Sequence, residues 1–222
     1  MGKLGQVIEP VKTRRRYDRT KRTQQAAATR QVILSAAREL FVQQGYGKTT
    51  VSQIAGQAGV AVDTIYTSVG RKPALLRELV ETAISGRDVA VPAGQREYVR
   101  QMEATDDART RLEIYAAAVA SIQQRMAPVY LCLRDAATTD DDCAILWRDI
   151  SERRARNMRD LATSLRATGR LRPDLSDDQV ADIIWSMNGA EYWDLLVTRR
   201  GWSPGQFQIW LTDAWTRLLL AD

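Results

Sequence analysis

The sequence predicts an all-α protein, with an N-terminal helix-turn-helix unit followed by a larger helical body, about nine to ten helices in total. Three observations carry this expectation. Apolar residues recur at helical spacing along most of the chain, and no stretch alternates convincingly with period two. Glycine and proline punctuate the ends of the periodic segments, as helix stops and starts require. Finally, Thr49 to Leu76 reads as two short helices joined by a glycine turn and followed by a Lys-Pro restart.

Residues 1–25 read as a disordered basic arm. Lys12 to Arg22 holds seven basic residues against one aspartate and shows no apolar face. Such a block is either a solvated tail or an arm for nucleic acid, with Arg14, Arg15, Arg16 and Arg19 following phosphates or entering a minor groove. The first helix is expected over residues 25–44. Ile33, Ala37, Leu40 and Phe41 stand at i, i+4, i+7 and i+8, and Gly45 is the stop.

In the next stretch Val51, Ile54, Ala55 and Ala58 share one face of a helix. Thr50 is placed to cap it, Gln53 to close a capping box, and Gly59 to end it in the left-handed conformation. A second short helix over about Val62 to Ser68 turns Ile65 and Val69 inward and shows Val62, Asp63, Thr64, Tyr66 and Thr67 on its other face. That face is neither greasy nor heavily charged, which suits the reading helix of a helix-turn-helix. Pro73 fits a first helical turn, and Leu75, Leu76, Leu79, Val80, Ala83 and Ile84 make the buried side of a fourth helix ending at Gly86. The expected organisation is therefore an arm (1–25), a DNA-binding unit that includes the fourth helix (26–86), and a helical body (87–222), with residues 86–94 as the boundary.

Within the body, a short helix is expected over residues 95–104, then a long one carrying Leu112, Tyr115, Val119, Ile122 and Met126. Pro128 is expected to break or kink it, leaving 129–137 as a separate piece. The run Thr138 to Asp142 opens a helix of about 25 residues with Trp147, Ile150, Met158, Leu161 and Leu165 inside. Ser176 to Gln179 opens another that should reach Arg200, and the last spans residues 206–220. Five of the six tryptophans, Trp185, Trp193, Trp202, Trp210 and Trp215, fall in this C-terminal segment. Two helices cannot easily hide Ile183, Met187, Trp193, Leu196, Phe207, Trp210, Leu211, Ala214, Trp215 and Leu218 within one chain. This set is therefore the expected homodimer interface, against ordinary core for some members.

Composition narrows the function classes. Residues 1–85 carry 14 Lys+Arg against 6 Asp+Glu, a balance of +8; the remainder carry 18 against 21, a balance of −3, and together these give the formal +5. Attraction for a polyanion thus sits at the N-terminal end. There is no histidine, which excludes His-based triads and most zinc sites, and no glycine-rich phosphate loop or nucleophile constellation is present. A helical enzyme is disfavoured, and no cofactor or metal is expected. The two cysteines, Cys132 and Cys143, are read as reduced thiols. No stretch is long and apolar enough for a membrane helix, and the start lacks the apolar block of a secretion signal, so a cytoplasmic protein without a membrane partner is expected.

Gly45-Tyr46, Thr49-Thr50-Val51, Ile54-Ala55, Ala58-Gly59-Val60, Ile65-Tyr66, Lys72 and Leu75-Leu76 together resemble the DNA-binding signature of the tetracycline-repressor (TetR) family of transcriptional regulators. The resemblance covers about residues 29–85; beyond it, only helix count and length are similar. It implies a homodimer that binds a palindromic operator in double-stranded DNA and is released by a small-molecule effector in the helical body. It also implies that Tyr66 and Lys72 hold backbone phosphates. The free N–H groups after Thr50 offer a further phosphate seat, and base reading falls to Ser52, Val62, Asp63, Thr64 and Thr67. For Asp63 the competing role is stabilisation of the helix dipole, and for Tyr66 it is packing. Candidate pocket residues are Tyr115, Val119, Met126, Tyr130, Trp147 and Tyr192, each of which could equally be plain core; Asp135 and Glu191 are candidates to meet a cationic ligand. The chain departs from the family pattern at Ala61, where a hydroxyl cap is common, and at Val69, where an aromatic is usual. Thr67 and Ser68 are also smaller than the residues often found there. Rival readings are an architectural DNA binder with little sequence preference and an activator of the same fold.

Overall fold

The computed structural model describes the backbone of residues 12–86 and 91–221, and side chains from Lys21 onward. Among these residues there are ten α-helices and no strand, only an isolated antiparallel bridge between Leu171 and Leu220. The first helix, α1, runs over Lys12–Gln44 and so begins at Lys12 rather than the expected Gln25. No glycine or proline interrupts residues 11–44, and Arg, Lys, Gln and Ala all favour helix, so a nucleus packed at Ile33 and Phe41 propagates backward without an apolar face. The arm before Lys12 lies outside the described residues, as do the side chains of Arg14, Arg15, Arg16 and Arg19.

Helices α2 (Val51–Ala58), α3 (Val62–Ser68) and α4 (Lys72–Ser85) follow the expected punctuation. Thr50 and Gln53 form the reciprocal capping box, and Gly59 takes the left-handed C-cap at φ +66°. Ala61 contributes no side-chain bond to the start of α3. Ile33, Ala37 and Phe41 of α1, Ile54 and Ala55 of α2, Ile65 of α3 and Leu75, Leu76, Leu79 and Val80 of α4 meet in one buried cluster. Buried Thr49 holds the entry to α2 by donating to the Gly45 carbonyl at 2.8 Å. Arg30 does two jobs. One guanidinium nitrogen donates to the Ser68 carbonyl at 2.6 Å, capping the end of α3, and another pairs with Glu78 of α4 at 2.7 Å.

The body comprises α5 (Glu97–Glu103), α6 (Ala108–Ala136), α7 (Asp141–Arg166), α8 (Asp177–Met187), α9 (Ala190–Trp193) and α10 (Pro204–Leu219). Helix α6 is its axis and touches α1, α4, α5, α7, α9 and α10. It passes through Pro128 without ending, contrary to the expected break. Pro128 itself faces solvent, where water can take the carbonyl bond it forgoes, while buried Met126, Ala127, Val129 and Tyr130 anchor the helix on both sides. The opposite correction applies further on. The helix expected to reach Arg200 stops at Met187, turns at Asn188-Gly189, and resumes as α9 and a π-helical stretch over Asp194–Thr198. Gly189 is in extended conformation and Asn188 spends its side chain on tertiary bonds, so the α ladder cannot continue through them.

Half of the expected interface set is internal. Trp193, Phe207, Leu211, Ala214 and Trp215 are buried in the chain's own core: Trp193 packs edge-on to Phe207 with centroids 5.0 Å apart, and Trp215 stacks on Tyr115 at 5.5 Å. The long groove between α6 and α10 can absorb more large side chains than the sequence suggested. Ile183, Met187, Leu196, Trp210 and Leu218 keep surface, and they are joined by exposed Trp185, Leu195 and Ile209, the last 70% exposed.

Arg30→Ala removes both the α3 cap and the tie to α4. It should cost about 1–2 kcal/mol in urea unfolding, as expected for charge-assisted bonds at a half-exposed site, and an unchanged midpoint would contradict this role.

Candidate nucleic-acid interface and core cavity

The turn after α2 sets α3 on the surface with Ile65 buried beneath it, so its outer side chains face solvent. Asp63, Tyr66 and Thr67 are exposed, Val62 and Thr64 half-buried, and Tyr66 retains 49% of its surface. Ser52 of α2 and Thr50 are exposed beside them. Two of the hydroxyls are partly committed. Thr67 donates back to the Asp63 carbonyl at 2.9 Å, so toward a ligand it offers acceptor lone pairs. Thr50 accepts from the Gln53 amide at 3.1 Å, while its own amide donates to the Gln53 side chain at 2.8 Å. Arg30, which helps to hold this surface in place, left no motif-like signal in the sequence, whereas Thr49 stands within the Thr49-Thr50-Val51 motif.

Lys72 lies less openly than a phosphate ligand would. It is half-buried, with its ammonium 3.9 Å from the centroid of the Tyr46 ring. Burial lowers its pKa, against an opposing pull from Asp140. The Tyr46 hydroxyl donates to the Asp140 carboxylate, the cap of α7, at 3.0 Å. This polar knot ties the turn after α1 to the body. Burial would raise the Asp140 carboxyl, but bonds from the Cys143 amide and the Tyr46 hydroxyl outweigh it and leave its pKa below the usual value. Burial pushes the nearby Cys143 thiol up to about 11 and also raises Cys132, so both stay protonated at neutral pH.

A cavity of about 300 Å³ opens between α4, α5, α6 and α7. Its walls are mostly apolar. Of the candidate pocket residues, Tyr115, Val119, Met126 and Tyr130 border it and Trp147 and Tyr192 do not; Tyr192 instead accepts from the Trp210 indole at 2.7 Å. Asp135 is exposed and paired with Arg134 at 2.9 Å, and neither it nor Glu191 borders the cavity. The sequence reading missed Ile84, Tyr98, Gln123, Arg153, Arg154, Met158 and Asn188, all of which line it. One of these carries the cavity's link to the N-terminal unit: Arg153 pairs with Glu81 of α4 at 2.7 Å. Arg125 adds a bond to the Ala83 carbonyl of the same helix at 3.2 Å.

The chain's similarity to known proteins fits this geometry. Residues 33–79 match the family model described as bacterial regulatory proteins, tetR family. That match runs from Ile33 of α1 to Leu79 of α4, so the helix-turn-helix and its flanking helices are what is similar to the family. No curated protein matches the chain in sequence. The remaining helices share their fold with solved structures. One is NalD, the secondary repressor of the MexAB-OprM multidrug efflux pump in Pseudomonas aeruginosa, at 21% identity and TM-score 0.69, covering 90% of this chain and 99% of that one. Another is a transcriptional regulator from Saccharomonospora viridis in complex with choline, at 20% identity and TM-score 0.64, covering 87% and 98%. The fatty acid degradation regulator FadR from Bacillus halodurans is similar at 19% identity and TM-score 0.66, covering 86% and 93%. No helix among the described residues is long and apolar enough to cross a membrane.

The Tyr46–Asp140 bond gives a pH-dependent test. A carboxyl whose folded pKa is depressed contributes stability that is present above the unfolded value of about 3.9 and is lost as pH falls through the folded one. Tyr46→Phe should therefore cost about 1 kcal/mol at neutral pH and progressively less below about pH 4 in thermal unfolding. A deficit that stays constant down to pH 2 would contradict the assignment.

Proposed function

We propose that this tetR-family regulator is a homodimeric repressor that reads a palindromic operator with paired α3 helices and leaves it when a small molecule enters the body cavity. The observation that carries the reading is that α4 belongs to both parts: its apolar face completes the DNA-binding core, while Ile84 and the partner of Glu81 line the cavity. A ligand that draws Arg153 away from Glu81, or displaces Ile84, changes the seat of α4 and with it the angle of α3. It shifts the equilibrium only by its differential affinity for the two arrangements. The resemblance to a repressor and to a regulator that binds choline supports a ligand-released repressor over an unregulated DNA binder.

On the DNA, Val62, Asp63, Thr64 and Thr67 of α3 and Ser52 of α2 face base edges. The first amides of α2 beyond Thr50, together with Tyr66 and Lys72, face phosphates. Lys72 reaches a phosphate by leaving the Tyr46 ring. Arg14, Arg15, Arg16 and Arg19 on the N-terminal extension of α1 add electrostatic attraction. Purified protein and randomised duplexes test the division of labour. Thr64→Ala should change which sequence is selected, whereas Lys72→Ala should weaken all sequences alike and lower the salt dependence by about one phosphate contact. A wild-type specificity ratio near one, against about 10³ or more for a regulator, would favour an architectural binder.

The dimer surface lies on α8, the π-helical stretch and α10, where Trp185, Leu195, Ile209 and Trp210 remain exposed. In a two-fold interface each substitution counts twice. Ile209→Glu should yield monomers at micromolar concentration in sedimentation velocity and at least about a tenfold loss of operator affinity, the equivalent of 1.4 kcal/mol. A variant that stays dimeric would move the interface elsewhere.

A further inference from the structure

Six buried side-chain polar atoms lack a partner among the described residues, and three of them, Gln123 Oε1, Asn188 Oδ1 and Arg154 Nε, belong to residues that line the cavity between α4, α5, α6 and α7. Such orphans are rare in folded proteins, and their gathering around a single space points to a group that is to arrive there. Gln123 and Asn188 are only 2% and 4% exposed, so bulk water does not reach them freely.

The orientation of Gln123 is fixed by chemistry. Its amide nitrogen donates to the Asn188 backbone carbonyl at 2.6 Å, and turning the amide over would set two carbonyl oxygens against each other at that distance. Its Oε1 is therefore the atom left over, and it can only accept. At Asn188 the Tyr115 hydroxyl donates to the Met158 sulfur at 3.2 Å and so accepts from the Asn188 nitrogen at 2.8 Å, which leaves Oδ1 to accept. Arg154 lies close by, since its guanidinium reaches the Trp185 carbonyl at 3.3 Å and packs on the Trp185 ring at 4.4 Å, three residues before Asn188. Its Nε supplies the complementary need for an acceptor.

We infer that the effector is a neutral, largely apolar small molecule whose head group both donates and accepts hydrogen bonds: a carboxamide, whose two N–H groups serve Gln123 Oε1 and Asn188 Oδ1, or a hydroxyl, whose single O–H serves Gln123 Oε1, in either case with the oxygen toward Arg154. The inference rests on the reading of the cavity as the effector site and specifies its chemistry. A water can serve these atoms in the free protein, and a ligand group replaces it without loss only by reproducing its donation. The apolar remainder lies along Val119, Met126, Ile150 and Leu161.

The test titrates the full chain with octanamide, octan-1-ol, methyl octanoate and octanoate, reading binding by ligand-observed NMR or calorimetry. Octanamide and octan-1-ol should each bind at least about tenfold tighter than methyl octanoate, because the ester leaves the buried acceptors unmade. Gln123→Met should reduce that preference to less than about twofold by weakening the donors and leaving the ester unchanged. Equal binding of amide and ester to the wild type would overturn the inference while leaving the cavity as an effector site. Octanoate binding tightest would overturn it in favour of an anion held by the arginines. Failure of all four to bind would overturn both the inference and the reading of the cavity on which it rests. The wild-type comparison requires no variant, so a misfolded Gln123→Met does not obscure the outcome.

Discussion

The burial of α4 on two fronts is the constraint on which the rest of the structure depends. Leu75, Leu76, Leu79 and Val80 pack with Ile33, Phe41, Ile54 and Ile65 of α1, α2 and α3 in a core continuous with that of the body. The same helix lies against α6 and α7 of the body. Its polar residues divide between the two sides: Glu78 reaches Arg30 of α1 and Glu81 reaches Arg153 of α7. A rigid element shared by two packed units transmits a displacement from one to the other, because close-packed interiors have discrete arrangements and deform little between them. The polar knot of Tyr46, Asp140 and Lys72 forms a second tie at the other end of α4, where the helix begins. Together these contacts tie the helix-turn-helix to the body at both ends of α4.

Much of this was legible in the sequence, for reasons that are local. The caps at Thr50 and Gly59, the restart at Pro73 and the stop at Gly86 depend on neighbours within a few residues, and each stands where its residue type demands. The exposed face of α3 followed from one buried position, Ile65. What the sequence obscured was decided by tertiary context. Pro128 reads as a break until its solvent-facing position is known, and Asn188-Gly189 passes for helix interior until the Asn188 side chain is seen bonded to Tyr115. The basic arm lacks an apolar stripe, yet nothing in residues 12–25 opposes helix, so the backbone of α1 continues through them.

The tryptophans show the same limit in energetic terms. Apolar content at the C-terminus suggested more hydrophobic surface than one chain could cover, but α6 offers a long partner that buries Trp193, Phe207 and Trp215 completely or nearly so. The surplus left on α8 and α10 is smaller and includes Ile209, which the sequence reading did not single out. The cavity was half-legible. Its aromatic and aliphatic wall followed from helical periodicity, whereas Gln123, Arg153, Arg154 and Asn188 are polar residues within otherwise apolar or charged stretches and declare themselves only once their neighbours are in place. In retrospect, a glutamine between Ile122 and Met126 on the inner side of a long helix was the available signal.

The most direct measurement of the central claim is a hydroxyl-radical footprint, with stoichiometry, of the full chain on a duplex selected from a random pool. Two copies per duplex are expected, with two protected patches on one face of the DNA, their centres one helical turn, about 34–36 Å, apart. One copy per duplex, or even protection along its whole length, would contradict that claim.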